Sequence, residues 1–182
     1  MKIDADTVRE IFDYNPETGA LTWKKRGSHW FSKEAHRNVW NGRFAGKVAG
    51  CFDVRGYWQV RLQTRIEKAH RLIWLMVYGE WPDGAIDHIN GHKSDNRISN
   101  LRVANMTENL QNMRRPYRNN QVGLMGVTRS KGRYRATIVV NEKQKHLGGF
   151  DDPQEAHAAY INAKKRLHPA FAYTNRRAAN DL

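Results

Sequence analysis

No apolar run in the chain exceeds eight residues, the longest being LIWLMVYG from Leu72 to Gly79. Spanning a bilayer takes roughly 20, so no membrane partner is expected and the fold must be assembled from short elements. The 182 residues suffice for one ordinary domain or two to three small ones, at roughly 100 to 200 residues each. Hydrophobic periodicity changes repeatedly between the helical and the strand kind, which predicts an α+β protein of small modules.

Val8, Ile11 and Phe12 recur at helical spacing after an Asp or Thr cap. Asn-Pro and Thr-Gly in NPETGALTWKK then predict turns before a strand at Leu21 to Trp23. Arg26 to Arg43 is basic and tryptophan-rich, and reads as a loop or short helix whose aromatics cover a small sheet. GYWQVRLQ, Gly56 to Gln63, alternates as a half-buried strand. AHRLIWLMVYG is a helix with Leu72, Ile73, Leu75 and Met76 inward, stopping at Gly79. AIDHI reads as a strand, Asn90-Gly91 as a hairpin turn, Asn100 to Val103 as the returning strand. MTENLQNMRR reads as a Thr-capped helix with Leu110 and Met113 on one face. The polar, basic stretch from Arg114 to Gly126 has the composition of a tether.

From Gly126 the pattern is regular again. GRYRATIVVN sets Tyr134, Ala136, Ile138 and Val140 on one face and Arg133, Arg135, Thr137 and Val139 on the other. A turn at Asn141-Glu142 leads to the strand KQKHLGGF. DPQEAHAAYINAKKRLH is a helix with Pro153 early and Ala156, Ala159, Tyr160 and Ala163 inward.

Charge narrows the partner. Lys and Arg outnumber Asp and Glu by 31 to 18, a net +13, which favours a polyanion, nucleic acid before an acidic membrane surface. Nine Lys or Arg against one acid, Glu142, lie between Gln111 and Leu147. The single cysteine, Cys51, excludes a disulfide framework and a cysteine-built zinc site within one chain; between apolar neighbours it reads as an inert core residue. MKIDADTVREIF lacks the basic start and apolar stretch of a secretory signal, so a cytoplasmic protein is expected.

Asp87-His88, Asn100 and Asn109 fall within strand, loop, strand and helix. Folded together, they would offer a carboxylate and an amide oxygen to a hard cation and an imidazole of pKa about 6.5 to a water. This spacing, with HRLIW before it and DHINGHKSDNRISNLR and TENLQN within it, resembles the HNH endonucleases, in particular the phage and intron-encoded homing-type subgroup that has asparagine for the final histidine. The resemblance runs from about Gly56 to Arg115. It implies a ββα-metal module in which Asp87 and Asn109 bind one Mg2+ or Mn2+, His88 is the general base, and Asn100 orients His88 through the surrounding loop. Neighbours on a strand point to opposite faces, so the strand must bend for Asp87 and His88 to share a site.

Other readings compete at single positions. His88 and His92 are spaced as a helical zinc pair, but Asn90 and Gly91 argue against a helix. Asn90 and Asn96 read as turn residues. His70 reads as a hydrogen-bonded structural histidine, Arg71 as a phosphate contact, and His92 and Lys93 as a solvated or phosphate-contacting loop.

Gly126 to Asn175 resembles the plant ethylene-response-factor (Apetala-two) DNA-binding domain in its Gly-Val start, Tyr-Arg-Ala strand, HLGGF, alanine-rich helix with Tyr160, and AFAYTN ending. The resemblance implies a three-stranded sheet laid in the major groove with a helix behind it. Arg133, Arg135, Thr137 and His146 would read the groove, with Arg129 and Lys131, placed in the preceding turn, as phosphate contacts. Lys145, Arg114 and Arg115 complete the expected DNA surface. Thr128 and Ser130 depart from the larger residues of that family.

The organisation expected is an N-terminal helix and β region at 1–55, a nuclease module at 56–115, a basic linker at 116–125 and a DNA-binding domain at 126–182. The function expected is metal-dependent hydrolysis of phosphodiester bonds in double-stranded DNA by a phage or mobile-element protein in the host-cell cytoplasm. One motif per chain makes one cut, and a monomer is favoured over a dimer. A DNA-binding regulator with an inactive HNH module is the alternative. An RNA-binding protein is disfavoured because no aromatic stacking platform accompanies the basic face.

Overall fold

The computed structural model describes residues 3–62, 64–168 and 171. They form two compact units, Met1–His88 with His92–Val103, and Ile89–Gly91 with Ala104–Leu182. The division runs through the stretch expected as one nuclease module.

The first unit starts with α1, Ala5–Ile11. The Asp4 carboxylate caps it by accepting from the Thr7 amide at 2.9 Å, supplying one of the acceptors that a helix start lacks. Val8 and Ile11 are buried, and the chain turns at once into the hairpin of β1, Phe12–Asn15, and β2, Ala20–Trp23. The basic tryptophan-rich stretch yields α2, Glu34–Phe44. Its Trp40 meets Trp23 edge-on at 5.4 Å, so the aromatics do cover the small sheet. The Arg26 guanidinium lies 4.0 Å from the Trp40 ring centre and 4.8 Å from that of Trp23. Burial lowers its pKa to about 10.

A second sheet has the order β3, β4, β5 (Cys51–Phe52, Trp58–Leu62, Arg65–Lys68); Gln63, expected at the end of the middle strand, lies outside the described residues. Cys51 is exposed, which corrects its reading as a core residue. It sits on a two-residue edge strand, and the apolar side chains near it, Val48, Phe52 and Val54, are exposed as well. Local apolarity did not mean burial there, because this sheet sends only Val60 and Leu62 into the core. Helix α3, Ala69–Tyr78, ends as expected at Gly79, whose φ of 83° is the left-handed cap. Leu72, Ile73 and Leu75 of α3 join Val8, Ile11, Phe12, Leu21 and Val60 in one core. Strands β6, Ala85–His88, and β7, Leu101–Ala104, pair.

In the second unit, α4, Met106–Gln111, is capped by Asn105 in a reciprocal box with Glu108. Thr107, expected as the cap, lies inside the first turn: either residue could accept there, and the position of Glu108 three residues on decides for Asn105. Strands β8, Val127–Ser130, β9, Arg133–Val140, and β10, Lys143–Phe150, form an antiparallel sheet with β9 central. It packs on α5, Pro153–Leu167. Asn141 and Glu142, at φ of 49° and 64°, make the two-residue turn that matches strand twist. Val127, Ala136 and Ala156 form the core, and Val122 and Leu124, from the segment expected as a tether, pack against it. Lys164 of α5 is buried, its ammonium donating to the Met113 carbonyl. Apart from Phe171, the AFAYTN ending lies outside the described residues. No described helix is long and apolar enough to cross a membrane.

Candidate active site

In β6, AIDH, the last three residues are buried. Ile86 joins the core, while Asp87 and His88 are only 7% and 4% exposed. A buried carboxylate needs a counter-charge, and Arg102 of β7 supplies it: its Nε and Nη2 donate to Asp87 Oδ2 at 3.0 and 2.8 Å. No sequence motif points to a role for Arg102, although its place on the returning strand is a signal that a cross-strand argument can use.

His88 faces a different set of groups. Its Nε2 lies 3.1 Å from Asn96 Oδ1. An amide oxygen only accepts, so Nε2 carries the proton and the basic lone pair is on Nδ1. Burial holds the imidazole below its ordinary pKa, and the Asn96 bond and the Asp87 and Asp95 charges oppose this. The His70 ring stands perpendicular to it at 5.2 Å and Tyr57 lies at 6.0 Å. His70 is not the hydrogen-bonded histidine expected. Its Nδ1 is buried with no hydrogen-bond partner, and burial, aided by the charges of His88, Arg71 and Lys68, lowers its pKa to about 3. Neutral at every ordinary pH, it adds no charge beside His88.

The loop between β6 and β7 is fixed by its own polar groups. Asn100 donates to the Asp95 carbonyl at 2.8 Å, one residue from Asn96, which fits an action on His88 through the loop. Arg97 grips the Asp95 carboxylate with two bonds at 2.7 and 2.8 Å. Asn96, expected as a turn residue, bonds the ring. Sequence alone ranked it low because asparagine suits turns and this loop holds several.

The other predicted residues make contacts of their own. Lys93 donates to the Arg55 carbonyl at 3.0 Å and lies 4.7 Å from the Tyr57 ring centre. Arg71 donates to the Gly84 carbonyl at 3.1 Å, stacks over Trp81, and lines a cavity of about 260 Å³ with Ile3, Arg65, Glu67 and Trp81. In the second unit, Asn109 is half-buried on α4 and Arg115 is exposed. Arg114 donates to the Ile89 carbonyl at 3.0 Å, bracing the turn that follows His88. Gly91 leaves room for it, since a Cβ there would lie 2.3 Å from Arg114 Cδ.

On the C-terminal sheet, Thr137 pairs with His146 and Thr128 with Arg135, and directly paired residues share a face. Arg133, Arg135, Thr137 and His146 therefore share the face turned away from α5, with Arg133 gripping Asp151 at 2.6 Å. Arg129 lies on β8 rather than in the preceding turn. It pairs with Tyr134, and Lys145 with Ile138, so both are exposed side chains of the opposite parity. Lys131 occupies the tight turn at φ of 50°.

Among the described residues no three His, Cys, Asp or Glu side chains gather as a metal cage, and His92 is exposed. The carboxylate of the site is Asp87, which Arg102 meets at Oδ2. A carboxylate has about four acceptor positions, more than these two bonds use, so an ion pair and a hard cation are compatible on one such group. Magnesium or manganese, which keep several waters, fit such a site.

Residues 67–111 match the profile of the HNH endonuclease family. Over 108 residues the chain is 35% identical to Protein 3.8 of Escherichia phage T7, an alignment covering 58% of this chain and 88% of that protein. No solved structure matches. The chain belongs to the family of phage T7 Protein 3.8 and carries an HNH endonuclease domain at residues 67–111.

Proposed function

We propose that the protein is a metal-dependent DNA endonuclease, of homing or phage type, that hydrolyses phosphodiester bonds in double-stranded DNA in the host-cell cytoplasm. The observation that carries this reading is His88 itself: buried, bonded through Nε2 to Asn96, and adjacent in sequence to a buried carboxylate. When bound, one Mg2+ or Mn2+ ion on Asp87 would polarise the scissile phosphate and stabilise the departing 3′ oxygen. Asn109 is proposed as its second protein ligand on sequence spacing alone. His88 Nδ1 takes a proton from the attacking water. Asn96 keeps the ring in the productive tautomer, and the Asp87 and Asp95 carboxylates favour the imidazolium that forms.

The C-terminal sheet is proposed as the DNA-holding element, used as an ethylene-response-factor type sheet is, with Arg135, Thr137 and His146 toward the major groove and the cations around them on phosphates. Joined to the nuclease module, it keeps that module at high effective concentration near a bound site. A monomer making one cut per event is the simplest form.

A second reading, a DNA-binding regulator with an inactive module, is favoured by one observation, the ion pair that Arg102 makes with Asp87. Incubating supercoiled plasmid with the protein in magnesium and in chelator separates the two. Relaxed or linear product in magnesium alone supports the nuclease, whereas intact plasmid that is nonetheless bound supports the regulator.

A further inference from the structure

The stretch YNPETGA, Tyr14 to Ala20, forms the β1–β2 hairpin, and none of its residues has a role in the chemistry above. Its position gives it one. The Tyr14 hydroxyl accepts from the Ile98 amide at 2.8 Å and donates to the Asn96 carbonyl at 3.2 Å. One phenol thus spans the backbone on both sides of Arg97. The hairpin turn approaches the same segment: Gly19 lies so close that a Cβ would be 2.6 Å from Arg97 N and from Asn96 C. The turn that presents Gly19 is itself fixed, since Asn15 Oδ1 accepts from the amides of Glu17 and Thr18 at 2.9 and 3.1 Å. Gly19 takes φ of 74°, open to glycine at little cost.

We infer that the N-terminal hairpin is a positioning element of the nuclease site, acting through Tyr14 and Gly19 on Asn96 and through Asn96 on His88. This rests on the proposed role of His88 as base. Asn96 bonds the ring, and a bond of this kind places a ring only as well as its own backbone is fixed. Asn100 and Arg97 fasten the loop at Asp95; Tyr14 fastens it at Asn96 and Ile98. The two sets bracket Asn96, which bonds the His88 ring. A general base must meet its proton within hydrogen-bond reach, and small displacements cost rate. Tyr14 is therefore a positioning residue, and the N-terminal segment is part of the catalytic apparatus.

The test is Tyr14→Phe in the full-length protein, which keeps the ring and removes the hydroxyl. Plasmid cleavage should lose about tenfold in kcat, an energy within the range of two lost hydrogen bonds, with KM for DNA unchanged. Introduced into Asn96→Ala, the same change should cost less than about twofold, since residues acting through one another are non-additive. Gly19→Ala should repeat the kcat loss by pushing on the same backbone. A readout independent of cleavage is the nitrogen NMR spectrum of His88 at about pH 8, where the ring is neutral. The native protein should show the Nε2–H tautomer alone and Tyr14→Phe a mixture. An unchanged tautomer, or a kcat loss that is undiminished in the Asn96→Ala background, overturns the inference. Native protein that shows the single tautomer, loses it in Tyr14→Phe, and cuts nothing in magnesium would leave the brace standing and remove the nuclease reading instead.

Discussion

Replacing His70 by Phe should make the first unit less sensitive to acid. In the folded protein burial lowers the His70 pKa to about 3, against about 6.5 in the unfolded chain. The sign follows from proton counts. Between these values the unfolded state binds a proton that the folded state refuses, so stability is full above the unfolded pKa and is lost as pH falls toward the folded one. Each pH unit inside that window costs about 1.4 kcal/mol, and between pH 7 and pH 5 the loss integrates to about 2 kcal/mol. Phe fills a similar space, carries no titratable group, and removes the unpartnered Nδ1. All six tryptophans lie in the first unit, so urea unfolding followed by tryptophan fluorescence at the two pH values reports on that unit. The native protein should lose about 2 kcal/mol more than His70→Phe between pH 7 and pH 5. Equal losses would refute a neutral buried His70. The His88 contribution has the same sign and is present in both proteins.

Arg102→Gln removes the ion pair that Arg102 makes with Asp87. Breaking a buried pair costs about 3–5 kcal/mol, and since the Arg102 side chain is 29% exposed the low end, about 3 kcal/mol, is expected; an unmoved urea midpoint would contradict the pairing. Because burial holds His88 below its ordinary value, cleavage should be sustained down to about pH 6.5 and fall only below it, while a rate already falling above neutrality would exclude His88 as the group that sets it. Arg135→Ala should reduce the slope of log K for DNA against log salt by about 0.9 if the arginine meets a phosphate, and should relax sequence preference if it meets a base. If the slope and the sequence preference both stay unchanged, the β9 face is not the DNA surface.

The elements with a strong local rule were legible in the sequence. Helix α3 with its Gly79 stop, the alternation of β9, the turn at Asn141-Glu142 and the Pro153 start of α5 each follow from a rule that acts within a few residues, and the structure places them as expected. The Asp87-His88 pair stands out in the sequence because its spacing to Asn100 and Asn109 resembles that of the HNH endonucleases, and residues 67–111 match that family. What stayed hidden depends on contacts distant in sequence. Arg102 meets Asp87 fifteen residues away, and Tyr14 meets Ile98 across more than eighty; no periodicity encodes either. Cys51 was misread because apolar neighbours were taken to mean burial on what proved to be an edge strand. Asn96 was ranked as a turn residue because asparagine serves turns and rings with the same amide, and only the fold shows which of its atoms is used.

The central claim is that His88 takes the proton in a metal-dependent cleavage of DNA. Its most direct test is supercoiled plasmid in magnesium, cut by the native protein and by His88→Ala, with DNA binding measured in parallel. The account predicts that cleavage disappears in His88→Ala while binding and the tryptophan-detected fold persist. Cleavage by the variant at the native rate would contradict it.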